Sequence, residues 1–588
     1  MYTVRYPRGG GDESIYICES YSLKGKKKKR ILERYLSRKE LEAVHPDVDA
    51  FLNGRIADLL KEKEGLLEES ASIPVDFSEG LDSDVSTSKN AGYLFLQKAY
   101  SDLGLEGFFN SWKHRNGAKI SYSMNDAMRL MCYSRVIDPC SKLATSQKSH
   151  DFLEDFALSE NDLCDSLSRI DSLSYELMRH LSRKCRDELG EEGETVYYDC
   201  TNFYFEIQEG DDEKGLRDYG VEKNHRPDPI VEFGLLLSDG GYPIGCSTFR
   251  GNESEKTSLS PLLEEAGEEA TKARIICADA GLNTSANKKL IARTGRNYIF
   301  SQGMKGLDED THKWAIDRNG FSYYGKPNKK GERKGYKSRW IIRSNGLSER
   351  LIVRFDPNSR GLLLRAIDER VKRAKRFIAN PSSLSLSKCQ DGKEYLRKVT
   401  IDSDGVLIPN KSIFSLNDEM IAKEKAEAGF YGLVTDIPSE GDFTEEEIAK
   451  LRFDGYRYVP KDPVSIIDIA GKRNDIETCF KEMKTGMDAR PIYVRLPEHI
   501  RGHLITVYVA LVLLSFVKKK YLPNASFESL LSSLRNYSFD EETDGVYKTL
   551  YYDGNIKELC RATGMNLLAH LRISEKTKRR VVSISKNR

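Results

Sequence analysis

Charge of one sign is missing from this 588-residue chain: 92 Lys and Arg face 91 Asp and Glu, a formal net charge of +1. A uniformly basic nucleic-acid binder is excluded on that ground. No long hydrophobic run is present either. The longest, Leu504 to Val517, has fourteen residues and includes Thr506, Tyr508 and Ser515, against roughly 20 residues for a bilayer span. It predicts a helix buried in protein. The opening MYTVRYPRGG has no apolar signal core,. Eleven cysteines form no CxxC pair and no Cys/His ligand spacing, which argues against a zinc module and suits a reducing compartment. None of the nine histidines falls in a nucleophile–base pattern, and the glycines lack the strand–loop–helix setting of a phosphate loop,. The expectation is a soluble, cytoplasmic protein with no membrane and no nucleotide cofactor.

What is present is uneven. The length calls for three or four units at roughly 100–200 residues each. Two basic runs stand on the neutral background: nine Lys/Arg against two Glu from Tyr21 to Glu40, and eight against one from Lys326 to Arg343. Such runs either touch phosphates locally or are solvated loops.

Residues 1–90 read as a basic N-terminal region followed by a Glu/Asp/Ser/Gly linker, SEGLDSDVSTSKN,. Residues 91–190 are helical in period, a unit that either docks DNA or braces its neighbour. At 191–304 the period becomes strand-like: TVYYDCTNFYFE, then two strands about the turn Asp239-Gly240-Gly241,. A helix from Leu259 to Lys272, the strand ARIICAD, a helix from Ala286 to Thr294 and the strand NYIFS follow. Three strands, helix, strand, helix, strand is the order expected of an RNase H-like α/β core. Between 305 and 428 the pattern breaks into short Gly-, Lys- and Tyr-rich strands plus one basic helix, Leu362 to Ile378, a β-rich insertion. Core-like text resumes over 429–520 with FYGLVTD and the helix SIIDIAGKRNDIETCFKEMK. Residues 521–588 read as a C-terminal helical region.

Three acids stand out. Asp199 lies inside an apolar, aromatic strand, and Asp279 ends the buried run ICAD. A carboxylate in such a place costs several kcal/mol unless paired or bound to a cation; for Asp279 the alternative is a cap on the following turn. Glu477 shares a helix with Arg473 and Lys484, and on a continuous helix these offsets put all three on one face beside a stripe of Ile466, Ile469, Ile476, Phe480 and Met483,. Surface Glu/Arg pairs of this kind are common, so the helix alone is not diagnostic.

YYDCTNFYFE, IICADAGLNT and GKRNDIETCFKEMK, in that order, resemble the three motifs of DDE-type insertion-sequence transposases. The resemblance is to the branch with a β-rich insertion before the third carboxylate and a Y-x2-R-x3-E-x6-K helix. Arg473, Glu477 and Lys484 fill that signature, while Ala470 stands where Tyr is usual. YGVEKNHRPDPI, FRGNESEKTSL, SRVIDPCSKLAT and RPIYVRLPEHIRGHLITVYVALVLL are similar to the same branch, so the likeness runs from about residue 100 to 520. Asp279 follows Asp199 by 80 residues and Glu477 follows Asp279 by 198, room for a domain-sized insertion.

The resemblance implies a transposase that cleaves DNA and transfers strands with Asp199, Asp279 and Glu477 converging on Mg²⁺. Two ions about 3.5–4 Å apart are expected, and Mn²⁺ should substitute. Arg473 and Lys484 would position phosphates. Lys223, His225 and Arg226 are further DNA-contact candidates, as are Lys329, Lys330, Arg333 and Lys334 of the second basic run. Asp228, between Pro227 and Pro229, reads as a turn residue. The implied partners are element ends and target DNA, bound by a homodimer. The alternatives are an RNase H-like nuclease without strand transfer and a catalytically silent, transposase-derived DNA-binding protein.

Overall fold

The computed structural model describes the chain except for residues 9–10, 24–25, 65–87, 117–119, 191–192, 212–214, 221–227, 260–273, 381–391, 400–412, 440, 443, 445, 447–459 and 544. The fold is mixed α/β, and the chain divides into two compact units.

The first unit comprises Met1–Asp102, Gln147–Ala157 and Val517–Arg588. Its N-terminal part is a three-stranded antiparallel sheet, Tyr2–Arg8, Asp12–Leu23 and Lys26–Tyr35, covered by the helix Val48–Glu64. Ile15, Ile17, Val48 and Leu52 form the small core between them. The first basic run therefore lies largely on a strand. In the same unit Ser88–Asn90 joins Ser538–Thr543, Val546–Thr549 and Arg572–Ser574 in a four-stranded antiparallel sheet. The stretch 521–588, expected as helical, thus alternates helices with three strands. Its Asp544-Gly545 pair is the hairpin signal that a helical reading passes over; Gly545 takes a φ of 82°.

The second unit comprises Leu103–Ser146 and Leu158–Phe516. The helical stretch 91–190 is split between the units, because Tyr93–Asp102 belongs to the first. Here α1 (Leu105–Asn116), α2 (Met124–Ile137) and α3 (Glu160–Leu189) follow one another. The 30 residues of α3 hold together through a Ser159/Asp162 capping box, a stop at left-handed Gly190 and a buried stripe from Leu163 to Leu181,.

Nine strands make one mixed sheet: β1 (Thr195–Tyr204), β2 (Ile230–Ser238), β3 (Pro243–Arg250), β4 (Ile275–Ala278), β5 (Asn297–Gln302), β6 (Ser322–Tyr324), β7 (Lys334–Ile342), β8 (Ser348–Phe355) and β9 (Phe430–Thr435). The spatial order is β6-β7-β8-β9-β5-β4-β1-β2-β3. β1, β2 and β3 are antiparallel neighbours, whereas β4 runs parallel to β1 and β5 parallel to β4. β2 is buried at every residue, as its nearly unbroken apolar text requires of a central strand. The crossover from β4 to β5 contains α4 (Ser285–Arg293), capped by Thr284; the helix expected at Leu259 to Lys272 falls, but for Leu259, outside the described residues.

The segment 305–428 adds to this same sheet. β6, β7 and β8 continue it antiparallel beyond β9. The rest includes α5 (Pro357–Ala379), whose Ile367 and Ala374 pack with Tyr395, Ile421 and Ala428 in a second core. Past β9 come α6 (Pro463–Gly471), α7 (Asn474–Lys481) and α8 (Pro497–Tyr521). By length and composition α8 could cross a membrane, but 94% of its most apolar window is buried inside the protein. Gly502 explains how closely α8 meets α3, since a Cβ there would stand 2.1 Å from the Leu167 carbonyl oxygen. Arg501 also clamps Asp171 of α3 through two guanidinium nitrogens at 2.9–3.0 Å.

Candidate functional site: two strand tips under a broken helix

β1 outruns its partner. Its pairing with β4 ends at Tyr198 opposite Ala278, while its pairing with β2 continues to Tyr204. Asp199 and Asp279 are the next residues along the two parallel strands. Neighbouring strands are roughly 4.8 Å apart and residues at one register share a face, so the two carboxylates emerge side by side where the sheet opens. Such a crevice at the carboxyl ends of parallel strands is a recurrent ligand position.

Asp199 is half-buried and its Oδ1 accepts from the Cys200 amide at 2.8 Å. Asp279 precedes a short 3-10 turn, but its side chain does not cap that turn. It accepts instead from Arg473, whose guanidinium lies 2.5 Å from Oδ1 and also donates to Ser301 Oγ at 2.8 Å. Burial works to raise the Asp279 carboxyl, yet the Arg473 charge prevails and holds it below the usual carboxylate range. Burial likewise disfavours the Arg473 charge, and Asp279, with Asp199 behind it, more than compensates.

The helix expected to be continuous from Ser465 to Lys484 is broken. It stops at Gly471, turns through Lys472 and Arg473, resumes as α7, and winds into a π-turn over Glu482–Gly486. Gly is a poor helix residue, and π-turns often mark functional sites. The common helical face expected for Arg473, Glu477 and Lys484 is therefore not a simple 3.6-residue register. Arg473 precedes the helix and Lys484 sits in the π-turn.

α7 nevertheless follows β1. Near its start Lys472 donates to Asp239 at 2.8 Å, which also accepts from the Tyr197 hydroxyl at 3.4 Å. Asp475 Oδ2 lies 2.8 Å from where a Cβ on Gly241 would stand, and Gly241 has a φ of 73°; only glycine meets both demands. Further on, Lys484 donates to Thr201 and its ammonium lies 5.9 Å from the Phe203 ring. Tyr197, Asp199, Thr201 and Phe203 alternate onto one face of β1, the face that α7 covers. Ile476, Cys479 and Phe480 are buried there. Glu477, between the two anchors, is exposed. Among the described residues no three His, Cys, Asp or Glu side chains form a group able to hold a metal ion. The arrangement is a pair of acids with an arginine across one of them, a lysine two residues further along β1, and a third acid, Glu477, facing solvent on α7 and not grouped with the pair.

The remaining candidates lie elsewhere. Lys329, Lys330, Arg333 and Lys334 are exposed around the β6–β7 turn, with Lys334 3.5 Å from Asp356. Five strand steps separate β6 from β4, roughly 24 Å at 4.8 Å per step. Lys223, His225 and Arg226 lie outside the described residues. Ser301, by contrast, belongs to the site although the sequence reading did not single it out. It has the same signature as Asp279, a polar residue near the end of an apolar run on a parallel strand. Asn283 and Gln302 buttress this edge: the Asn283 amide donates to the Ser301 carbonyl at 3.0 Å and to Gln302 Oε1 at 3.2 Å.

No protein-family model matches the chain, and no curated protein matches it. Among solved structures it is similar to a piggyBac transposase determined by cryo-EM as a synaptic complex with hairpin DNA. The alignment covers 79% of this chain and 82% of that one at 8% identity and a TM-score of 0.34. A likeness of that size carries no argument about fold or activity.

Proposed function

We propose that the protein is a DNA transposase whose strand chemistry takes place at the edge formed by Asp199 and Asp279. The observation that carries the reading is their placement: adjacent tips of parallel strands, in a sheet whose first five strands are ordered β3-β2-β1-β4-β5. That order, with three antiparallel strands followed by two parallel ones, supports an RNase H-like core. The motif resemblance supplies the reaction class.

Carboxylates are the hard oxygen donors that Mg²⁺ or Mn²⁺ prefers, so the donor chemistry of the pair fits a divalent cation. Asp199 and Asp279 would hold it, and Glu477, exposed on α7, is the residue that would complete the set. When bound, such ions activate an attacking oxygen and stabilise a leaving one. The chain's own cations do the positioning. Lys484, beside Thr201 on the same strand face as Asp199, holds a phosphate of the scissile strand. Arg473 keeps Asp279 ionised and, on release, offers a bidentate phosphate contact. The basic β6–β7 turn touches DNA away from the cleaved bond.

A catalytically silent DNA-binding protein is the second reading. It is favoured by the Arg473–Asp279 ion pair and by the exposure of Glu477. Mn²⁺ binding followed by paramagnetic resonance, beside cleavage of labelled element-end duplex, separates the two. Asp199→Asn and Glu477→Gln should each weaken Mn²⁺ binding and abolish cleavage while end binding in a gel shift survives. A wild-type chain that neither binds Mn²⁺ nor cuts the duplex would leave only the silent reading.

A further inference from the structure

Away from the carboxylate edge, α1 and α3 enclose a cavity of about 590 Å³, its lining including Phe108, Arg115, Tyr175, Arg179 and Arg183. Tyr175, Arg179 and Arg183 recur at four-residue steps, which stacks them on one face of α3 over roughly 12 Å. All three are exposed. The Arg179 guanidinium lies 5.4 Å from the centre of the Tyr175 ring. Arg115 projects from the last turn of α1, beside Lys113 and His114. Glu176 is the one acid among the lining residues described, and it is engaged by Arg115 at 3.1 Å.

The cations of α3 concentrate in one stretch beside the cavity. Five acids, Glu160, Asp162, Asp165, Asp171 and Glu176, fall in its first 17 residues with one cation, Arg169; from Arg179 to Arg186 there are four cations and no acid, before Asp187 and Glu188 close the helix. His180 contributes no charge to the groove. Its Nε2 is 2.7 Å from the Leu103 carbonyl oxygen and its ring packs 5.1 Å from Phe108, while burial pushes its pKa down. The floor is therefore apolar and neutral, and the rim is cationic on both helices.

We propose that this groove binds the phosphodiester backbone of DNA through Arg115, Arg179 and Arg183, with Tyr175 as a stacking surface at its mouth. The proposal rests on the DNA reading of the protein but involves neither Asp199 nor Asp279. Guanidinium groups match phosphate oxygens in pairs, and aromatic–arginine surfaces are what single strands and duplex ends settle on. Donors spread along two helices suit a repeating polyanion. A small free phosphate is better served by donors converging on one buried point.

The test uses the full chain and a labelled duplex of unrelated sequence, titrated across salt by fluorescence anisotropy, with inorganic tripolyphosphate as a separate ligand. Arg179→Gln with Arg183→Gln should weaken duplex binding at least tenfold at low salt. The slope of log affinity against log salt should fall by about 2, near 0.9 per lost phosphate contact. Arg179→Lys with Arg183→Lys should retain most of that slope, which separates a charge effect from misfolding. An unchanged slope in the Gln pair overturns the proposal. So does tripolyphosphate binding that the Gln pair abolishes while duplex affinity stays at the wild-type value. A chain that binds the duplex through these arginines yet never cuts element ends would sink the transposase reading and leave the groove standing. A wild-type chain with no duplex affinity would sink both.

Discussion

At one end of the nine-stranded sheet Asp279 follows the apolar β4 into an edge where its side chain is 48% exposed, beside Asp199 and Arg473. At the other end Asp436 follows the apolar β9 and lies next to Glu349, which is fully buried. In sequence the two acids look alike: ICAD and FYGLVTD both end on an aspartate. Strand direction separates them. β4 is parallel to β5, so its tip falls at the Ser301 end; β9 is antiparallel to β5, so its tip falls beside Tyr298. There Asp436 accepts from the Tyr298 amide at 2.9 Å. Glu349 accepts from Lys288 at 2.7 Å, from the Tyr298 hydroxyl at 2.9 Å and from Arg343 at 2.5 Å. One end leaves its acids within reach of a ligand, and the other spends them on tying α4, β5, β8 and β9 together.

If that division of labour is right, substitutions at the two ends should fail in opposite ways. The largest effect is expected at the open end. Asp199→Asn should lower cleavage of an element-end duplex in Mg²⁺ by three orders of magnitude or more, about 4 kcal/mol of barrier, with thermal unfolding unchanged. A rate within tenfold of wild type would remove Asp199 from the reaction.

At the closed end Lys288→Met should leave activity to follow folding. Breaking a buried ion pair typically costs about 3–5 kcal/mol. All three tryptophans, Trp112, Trp314 and Trp340, lie in the second unit, so the urea midpoint followed by tryptophan fluorescence reports on it. A midpoint equal to wild type would mean that Arg343 and Tyr298 hold Glu349 without the lysine.

A smaller effect should appear with pH. Burial, with Glu349 adding to it, raises the Asp436 carboxyl from 3.8 to about 7. Its folded pKa is above the unfolded one, so its contribution is complete below about pH 4 and is lost as pH rises through 7. Between pH 5 and 8 wild-type stability should fall by on the order of 2 kcal/mol, discounted because part of Asp436 reaches solvent. Asp436→Asn should lack that decline; a variant with the wild-type pH profile would assign the loss to another group.

The smallest change returns to the open end. Asp279→Asn also breaks a hydrogen-bonded ion pair, with Arg473, but a half-exposed one, worth roughly 0–1 kcal/mol. Its urea midpoint should be close to wild type, in contrast with Lys288→Met. A loss as large as that of Lys288→Met would erase the distinction between the two ends.

Much of the sheet was legible because its strands carry period-specific text. TVYYDCTNFY, IVEFGLLLS and IICA are largely buried runs, and the alternation of strands with helices marked β4 and β5 as the later members of the core. The break at Gly471–Arg473 was not legible, because the apolar stripe from Ile466 to Met483 continues across it and hides a change of axis. The antiparallel pair Ser538–Thr543 and Val546–Thr549 was not legible, since the helical segments around it dominate the period. In the segment 305–428 short strands were readable. That three of them would extend the sheet past β9 depends on the pairing of β8 with β9, whose partners are 75 (430 − 355) to 85 (435 − 350) residues apart, which no local pattern encodes.

By itself, then, the sequence determined which residues could act: hard acids ending apolar strands, an Arg and a Lys flanking an acid on a helix, and two basic runs on a neutral chain. Those are local facts of residue type and period. Tertiary structure decided which acids share an edge, because parallel or antiparallel pairing sends equivalent strand tips to opposite ends of a sheet. It also decided which charges stay open to a ligand, because burial makes an acid such as Glu349 costly to leave unpaired while exposure leaves Asp279 free to exchange its arginine for another partner.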